Sequence, residues 1–298
     1  MHDRDCLHRF VFERYPLRGH LLHLDAAWAA LIEHRDYPPP VLKLLGETVA
    51  AALLLAATIK FDGVLSLQLQ GDGRVHLLLA QCTSGLGVRG LARYRDDAAG
   101  AGAQDPIGAG NLTVTVETDD GAQRYQGIVA LSGARLANSL ETYFENSEQL
   151  PTRLWLHTGP QGVSGMLLQR LPDPGGASST SAPEVDDAWR RVQMIGDTLT
   201  PEELATLADA EILRRLFNED DLRLFEPSPV YFRCRCSRER VAGMLQGLGE
   251  AETQSILEER GQVEVGCDFC NRAYLFDAVD VARLFNGSAT ADGGNRVH

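Results

Sequence analysis

Val41 to Ile59 (VLKLLGETVAAALLLAATI), opened by Pro38-Pro39-Pro40, is the stretch on which the fold turns. Proline suits the first helical positions, where a missing N–H costs nothing. The run behind it is apolar on nearly every face, so a helix formed from it needs other elements packed all around. Lys43 and Glu47 interrupt it, leaving only Thr48 to Ile59 without charge. That is too short to span a bilayer and reads as a helix inside a globular domain.

Working outward, strand signals come in pairs. Phe10 to Tyr15 and His20 to Leu24 read as short strands around a Pro16–Gly19 turn, and Asp25 to Glu33 as a helix capped by Asp25. Val64 to Gln70 and Val75 to Gln81 are joined by Gly71-Asp72-Gly73, and Asn111 to Glu117 and Ala122 to Ala130 by Asp119-Asp120-Gly121. Leu136 to Glu148 reads as a helix, with further strands at Arg153 to His157 and Gly165 to Arg170. Hairpins dominate over βαβ crossovers. The expected fold class is therefore α+β, with antiparallel sheets around a buried helix over residues 1–171.

Composition then changes. Pro172 to Asp187 (PDPGGASSTSAPEVDD) has the makeup of a flexible linker. Val185 to Phe225 is dense in charge and helical in pattern, with a capping box at Thr200-Pro-Glu-Glu203 and apolar Ile212, Leu213, Leu216 and Phe217 on one side of the next helix. Residues 172–230 thus form a flexible, then helical, linker. A small module at 231–286 follows, and 287–298 (GSATADGGNRVH) has nothing to bury and is expected to be disordered.

That module holds Cys234-x-Cys236, thirty intervening residues, and Cys267-x-x-Cys270. Two close pairs separated by a small domain's worth of chain is how tetrahedral zinc sites are assembled. No histidine occurs between 158 and 297, so the expected site is all-thiolate, one zinc per chain. Four thiolates also suit an iron–sulfur centre. A module this size has too little core to be secure alone, and bound zinc can contribute roughly 10–16 kcal/mol to such units. Ser237 to Leu248 and Ala251 to Arg260 read as helices, Tyr274 to Phe276 as a strand and Asp280 to Phe285 as a closing helix. Thiolates are also what oxidants attack. Within each pair the sulfurs are close enough to join once the metal leaves, so the spacing alone allows both a structural staple and a redox switch.

Bulk properties narrow the function. The chain has 298 residues, 44% hydrophobic and 23% charged, with 41 acidic against 28 basic side chains and a formal net charge of −13. That field repels phosphate backbones, which argues against nucleic-acid partners. The charged start, Met1 to Cys6, leads into no signal-peptide apolar run, so the expected compartment is the cytoplasm, with no membrane partner. There disulfides are rare at rest, and six cysteines favour metal or redox use.

Competing motifs are weak. Gly85-Leu-Gly-Val-Arg-Gly90 matches a dinucleotide pattern but lacks the helix that would hold a pyrophosphate, and reads as loop and strand. The only lysines, Lys43 and Lys60, fit no phosphate-binding loop, so no nucleotide partner is expected. No nucleophile elbow or zinc-protease motif occurs, and the chain is not expected to be an enzyme. His20 and His23, with no cysteine or acid beside them in sequence, read as surface or packing residues.

Three stretches carry a family resemblance: Phe225 to Val241 (FEPSPVYFRCRCSRERV), Val263 to Tyr274 (VEVGCDFCNRAY) and, in the first domain, Tyr143 to Thr152 (YFENSEQLPT) with Gly165 to Pro172 (GMLLQRLP) and Arg18-Gly19. They resemble the heat shock protein 33 family of bacterial redox-regulated, ATP-independent holdase chaperones. The resemblance implies zinc on Cys234, Cys236, Cys267 and Cys270 in a reduced, inactive state. It implies disulfides Cys267 with Cys270, then Cys234 with Cys236, on oxidation, with zinc release and dimerisation. The charged helices then unfold and clients are captured, with Leu204, Leu207, Leu213, Leu216 and Phe217 as expected client-binding residues. Cys6 and Cys82 read as ordinary thiols. The alternatives are a structural zinc ribbon binding nucleic acid or protein, which the scarcity of net positive charge opposes, and a thiol–disulfide oxidoreductase. The latter needs its Cys-x-x-Cys to open a helix, whereas Cys270 leads into a strand-like run.

Overall fold

The computed structural model describes residues 4–95, 106–119, 124–131, 135–172 and 181–286, and falls into two units, 1–233 and 234–298. In the first unit the chain forms β1 (Cys6–Phe12), β2 (Leu17–Leu24), α1 (Ala26–Ile32), α2 (Pro39–Thr58), β3 (Gly63–Gly71), β4 (Val75–Thr83) and β5 (Gly87–Tyr94). It continues through β6 (Gly110–Thr118), β7 (Arg124–Ala130), α3 (Leu136–Tyr143), β8 (Thr152–Gly159) and β9 (Gly162–Arg170). Then come α4 (Ala182–Gly196), α5 (Pro201–Thr206), α6 (Asp209–Phe217), β10 (Leu222–Leu224), β11 (Ser228–Pro229) and β12 (Tyr231–Phe232).

Two sheets enclose α2. One runs β10-β1-β2-β9-β8, with β11 also on β1, and the other β12-β5-β4-β3-β6-β7. All pairings are antiparallel except β12 with β5. Helix α2 packs on β2, β8 and β9 from one side and on β3, β4 and β5 from the other, burying Val41, Leu45, Val49, Leu53 and Leu54. Gly46 allows the approach: a Cβ there would lie 2.3 Å from Thr158 Oγ1. Although its uncharged part alone is too short, the whole twenty-residue helix, Lys43 and Glu47 included, is long and apolar enough to cross a membrane; both its sides are nonetheless taken by sheet.

The first sheet is covered on both faces, which is why β2 is buried almost throughout. Residues alternate across a strand. Leu22 and Leu24 face the α2 core, while Leu17 and Leu21 join Phe10, Phe12, Met166 and Leu168 in a second core. That second core is roofed by α4, α5 and α6, through Ala188, Trp189, Val192, Leu204, Ile212, Leu213, Leu216 and Phe217.

Several expectations shift locally. The first hairpin runs Cys6–Phe12 and Leu17–Leu24, longer than the apolar signal, because β1 gains β10 and β11 as partners. Asp25 does not cap α1 with its side chain; instead the Asp5 carboxylate accepts from the N–H groups of Asp25, Ala26 and Ala27 at 2.8–3.0 Å. The helix from Leu136 stops at Tyr143 and passes into a π-turn over Phe144–Glu148. Helix begins inside the supposed flexible stretch, at Ala182, because Glu184 accepts from the Ser181 N–H at 2.8 Å. It ends at Phe217 rather than Phe225, and the remainder adds strands to both sheets. Residues 173–180, part of the Asp119–Gly121 turn and the 287–298 tail lie outside the described residues.

The second unit comprises α7 (Arg238–Leu248), α8 (Glu250–Arg260), β13 (Val263–Gly266), β14 (Ala273–Phe276) and α9 (Ala278–Asn286). Strand β13, which sequence reasoning did not anticipate, pairs with β14. The unit's buried core is Val241, Leu245, Leu257, Val263, Tyr274, Phe276 and Val281. Seven side chains make a thin core for a unit of this size, and small domains of that kind need a staple.

Candidate metal centre

Cys234 and Cys236 immediately precede α7, whose first N–H groups are capped by Ser237: its Oγ accepts from Arg240 N–H at 3.3 Å. Cys267 and Cys270 sit in the turn between β13 and β14. The Asn271 N–H donates to Cys267 O at 2.8 Å, the Cys267 N–H to Arg272 O at 3.0 Å, and Asn271 is left-handed at φ 55°. This tight knuckle turns both sulfurs to one side. Arg238 braces the opposite wall, donating to Leu275 O at 2.7 Å and Asp280 Oδ2 at 2.6 Å, with its guanidinium 4.3 Å above the Phe276 ring.

The four Sγ atoms lie within 4.8 Å of one another. Cys234 and Cys267 are 3.6 Å apart, Cys236 and Cys270 3.4 Å. Sulfurs placed about 2.3 Å from a tetrahedral ion stand about 3.8 Å apart, so the cluster could hold one metal ion with little adjustment. Each of these short contacts joins one cysteine pair to the other, as a tetrahedron requires. Cys270 is buried and the other three are half-buried.

The thiols are not equivalent. Burial opposes ionisation of Cys236, but the Tyr274 hydroxyl, donating to its Sγ at 3.1 Å, and the neighbouring thiols outweigh that and draw its pKa down to about 7. Burial pushes Cys234 up, and pushes Cys270 up to about 12. The cluster thus contains one thiol that ionises readily at neutral pH. From sequence Tyr274 is a strand residue and nothing more; its spacing of four from Cys270 is the available signal.

The five apolar linker residues are all in the second core of the first unit. Leu204, Leu213, Leu216 and Phe217 are buried and Leu207 is half-buried. The Phe217 ring meets Phe12 edge-on at 5.2 Å and Phe10 at 6.4 Å. His20 and His23 are both buried, packing residues rather than surface ones. The expected lack of an acidic partner does not hold for His23: Asp209 Oδ1 lies 2.7 Å from its Nε2, brought from far along the chain by α6. Cys82 is buried in the α2 core with its pKa pushed up to about 12 by desolvation, which makes it inert. Strand β5 (Gly87–Tyr94) begins inside the Gly85–Gly90 pattern, where a dinucleotide site would need a helix.

The architecture is that of an α+β domain with a helical segment laid over one sheet, followed by a four-thiol module. The family model described as Hsp33 protein matches residues 5–277, and the chain belongs to that family. It is 46% identical to the 33 kDa chaperonin of Nitrosococcus oceani over 98% of both chains, and 47% identical to that of Pseudomonas paraeruginosa over 97% of both. A solved structure, the 33 kDa chaperonin (heat shock protein 33 homolog) of Thermotoga maritima, superposes with a TM-score of 0.79 at 20% identity, covering 96% of this chain and 99% of that one. At that identity the likeness speaks for the fold.

Proposed function

We propose that this chain is a redox-switched, ATP-independent holdase that carries one zinc ion on Cys234, Cys236, Cys267 and Cys270 when reduced and inactive. The observation that carries it is the convergence of four sulfurs in a unit whose buried apolar cluster, among the described residues, is seven side chains. Losing the metal from such a unit removes most of its folding free energy. In the switch, four thiolates give up four electrons to two molecules of a peroxide and form two disulfides, Cys267 with Cys270 and Cys234 with Cys236. Zinc leaves as the divalent ion.

The linker supplies the readout. Cys234 follows Arg233 directly, and Arg233 closes a short zipper in which its N–H donates to Val88 O at 2.9 Å. Upstream of that zipper α4, α5 and α6 hold by packing, since helices this short are marginal alone. Once they lift, Leu204, Leu207, Leu213, Leu216 and Phe217 are uncovered together with the sheet face beneath them, and unfolding clients bind there. Homodimerisation on activation and a cytoplasmic site of action belong to the same reading. The oxidoreductase alternative is disfavoured by the position of Cys267 and Cys270 in a turn between two strands rather than at a helix start.

The test follows zinc release by a chromogenic chelator, free thiols, and hydrogen exchange over 182–217 during mild peroxide treatment with gentle heating. All three should change together with the gain of anti-aggregation activity. Disulfides that form while zinc stays bound, or full activity with exchange unchanged, would overturn the proposal.

A further inference from the structure

Outside the four-thiol module, one other group of metal-type donors converges among the described residues. Cys6 and His8 lie two apart on β1 and so share a face, and His23 on β2 pairs in register with Cys6. Asp209, the first residue of α6, covers them. Its Oδ2 is 2.6 Å from His8 Nδ1 and its Oδ1 2.7 Å from His23 Nε2, while Cys6 Sγ is 3.7 Å from His8 Nδ1. The donor atoms of Cys6, His8 and Asp209 all lie within 4.8 Å of one another. The side chains of Asp209, His23 and His8 are 7%, 10% and 15% exposed, and Cys6 is buried.

Such closeness would ordinarily be explained by hydrogen bonding. Yet neither Asp209 Oδ2 nor His23 Nε2, both buried, makes a directed hydrogen bond. Buried polar atoms left in that condition are costly unless something else satisfies them.

We propose that Cys6, His8 and Asp209 form a second site for a divalent transition-metal ion of the zinc type, with His23 holding the other oxygen of Asp209 in place. A thiolate, an imidazole and a carboxylate are a mixed donor set that zinc accepts with a water in the fourth position, and two negative ligands balance the ion. Binding releases the Cys6 thiol proton. With zinc about 2.3 Å from sulfur and about 2.0–2.1 Å from nitrogen, a tetrahedral edge between them is about 3.6 Å, close to the Cys6–His8 spacing. The nitrogen–oxygen edge would be about 3.3 Å, so Asp209 retreats by about half an ångström on binding. A cavity of about 440 Å³ beside His8, His23 and Asp209 gives solvent access; Arg4 and Glu226 on its wall oppose and favour a cation respectively.

The ligands come from β1 and α6, so the ion ties the first residue of α6 to the sheet. The site itself does not depend on the redox reading; only its consequence, a firmer hold on the linker, rests on that reading.

The experiment is anaerobic titration of the reduced full chain with zinc and with cobalt(II), alongside Cys6→Ser, His8→Ala and Asp209→Asn. Wild type should take two equivalents and each variant one, with affinity for the second equivalent at least tenfold weaker. The second cobalt equivalent should add the charge-transfer band of a single thiolate, absent from Cys6→Ser. Circular dichroism of the variants verifies folding, and the retained first equivalent serves as an internal control. If the four-thiol site fails instead, wild type takes one equivalent and the variants none. A single equivalent in wild type that survives in all three variants, or a second equivalent bound equally by them, overturns the proposal.

Discussion

Arg191 on α4 and Asp220 just beyond α6 form a two-pronged ion pair, Nη1 to Oδ2 at 2.8 Å and Nη2 to Oδ1 at 2.6 Å. Asp220 is nearly buried, with 7% of its side chain exposed. Its carboxylate holds the Arg191 pKa above the ordinary value, against the pull of burial. The pair fastens the start of the helical segment to its end, independently of what lies beneath.

Removing one partner should therefore loosen the whole segment. Asp220→Ala strands a half-buried guanidinium and deletes two charge-assisted hydrogen bonds, a loss of about 2 kcal/mol. That corresponds to roughly 30-fold faster exchange over 182–217 in the reduced protein, by the usual 1.4 kcal/mol per decade. Hydrogen exchange read by mass spectrometry checks it, and unchanged protection would mean that the pair is ornamental.

Gly19 supplies a second test. A Cβ built there would fall 2.1 Å from Phe10 Cζ, and Phe10 in turn packs on Phe217. Gly19→Ala must push the Phe10 ring toward α6, an overpacking change that typically costs about 1–3 kcal/mol. Because the ring moves toward the roof helices, their protection should fall more than that of β3 and β4. Equal loss in both places would contradict the proposed route.

The sequence carried the central helix, since Val41 to Ile59 had no polar face to give to solvent, and it carried the strand pairs whose turns held glycine and aspartate. It carried the four thiols because ligand spacing is local within each pair. What it did not carry was long-range. Asp5 capping α1, Glu184 starting α4 early, and β10 to β12 returning to both sheets depend on partners that pattern alone does not reveal. The Cys6, His8, His23 and Asp209 group was invisible for the same reason: about two hundred residues separate Asp209 from the others, and only α6 docking joins them.

Tyr274 tunes the Cys236 thiol. Its hydroxyl is a donor that favours the Cys236 thiolate, so Tyr274→Phe should raise that pKa above about 7. In the zinc-loaded reduced protein, where the module is folded, the donor steadies a ligand sulfur, so the variant should hold zinc about tenfold or more weakly. The ring remains in the module core, which keeps packing loss small. Competition with a chromogenic chelator gives the answer, and unchanged zinc affinity would remove Tyr274 from the account.

The last prediction is the acid sensitivity of the first unit. His20 is 1% exposed on β2, and its Nδ1 has no hydrogen-bond partner. Burial, and then the charges of Arg18 and Arg9, depress its pKa from 6.5 to about 3. The folded protein therefore refuses a proton that the unfolded chain accepts. Stability is complete above about pH 6.5 and is lost as pH falls toward 3, with a slope of up to about 1.4 kcal/mol per pH unit from this group. Glu47 and Glu141, whose pKa values burial raises, act in the opposite sense in part of that window. Comparing wild type with His20→Leu cancels them. Urea midpoints between pH 7 and 4.5 should fall more steeply for wild type, the two curves diverging as pH drops. Parallel curves would show that His20 is protonated in the fold and that the acid sensitivity lies elsewhere.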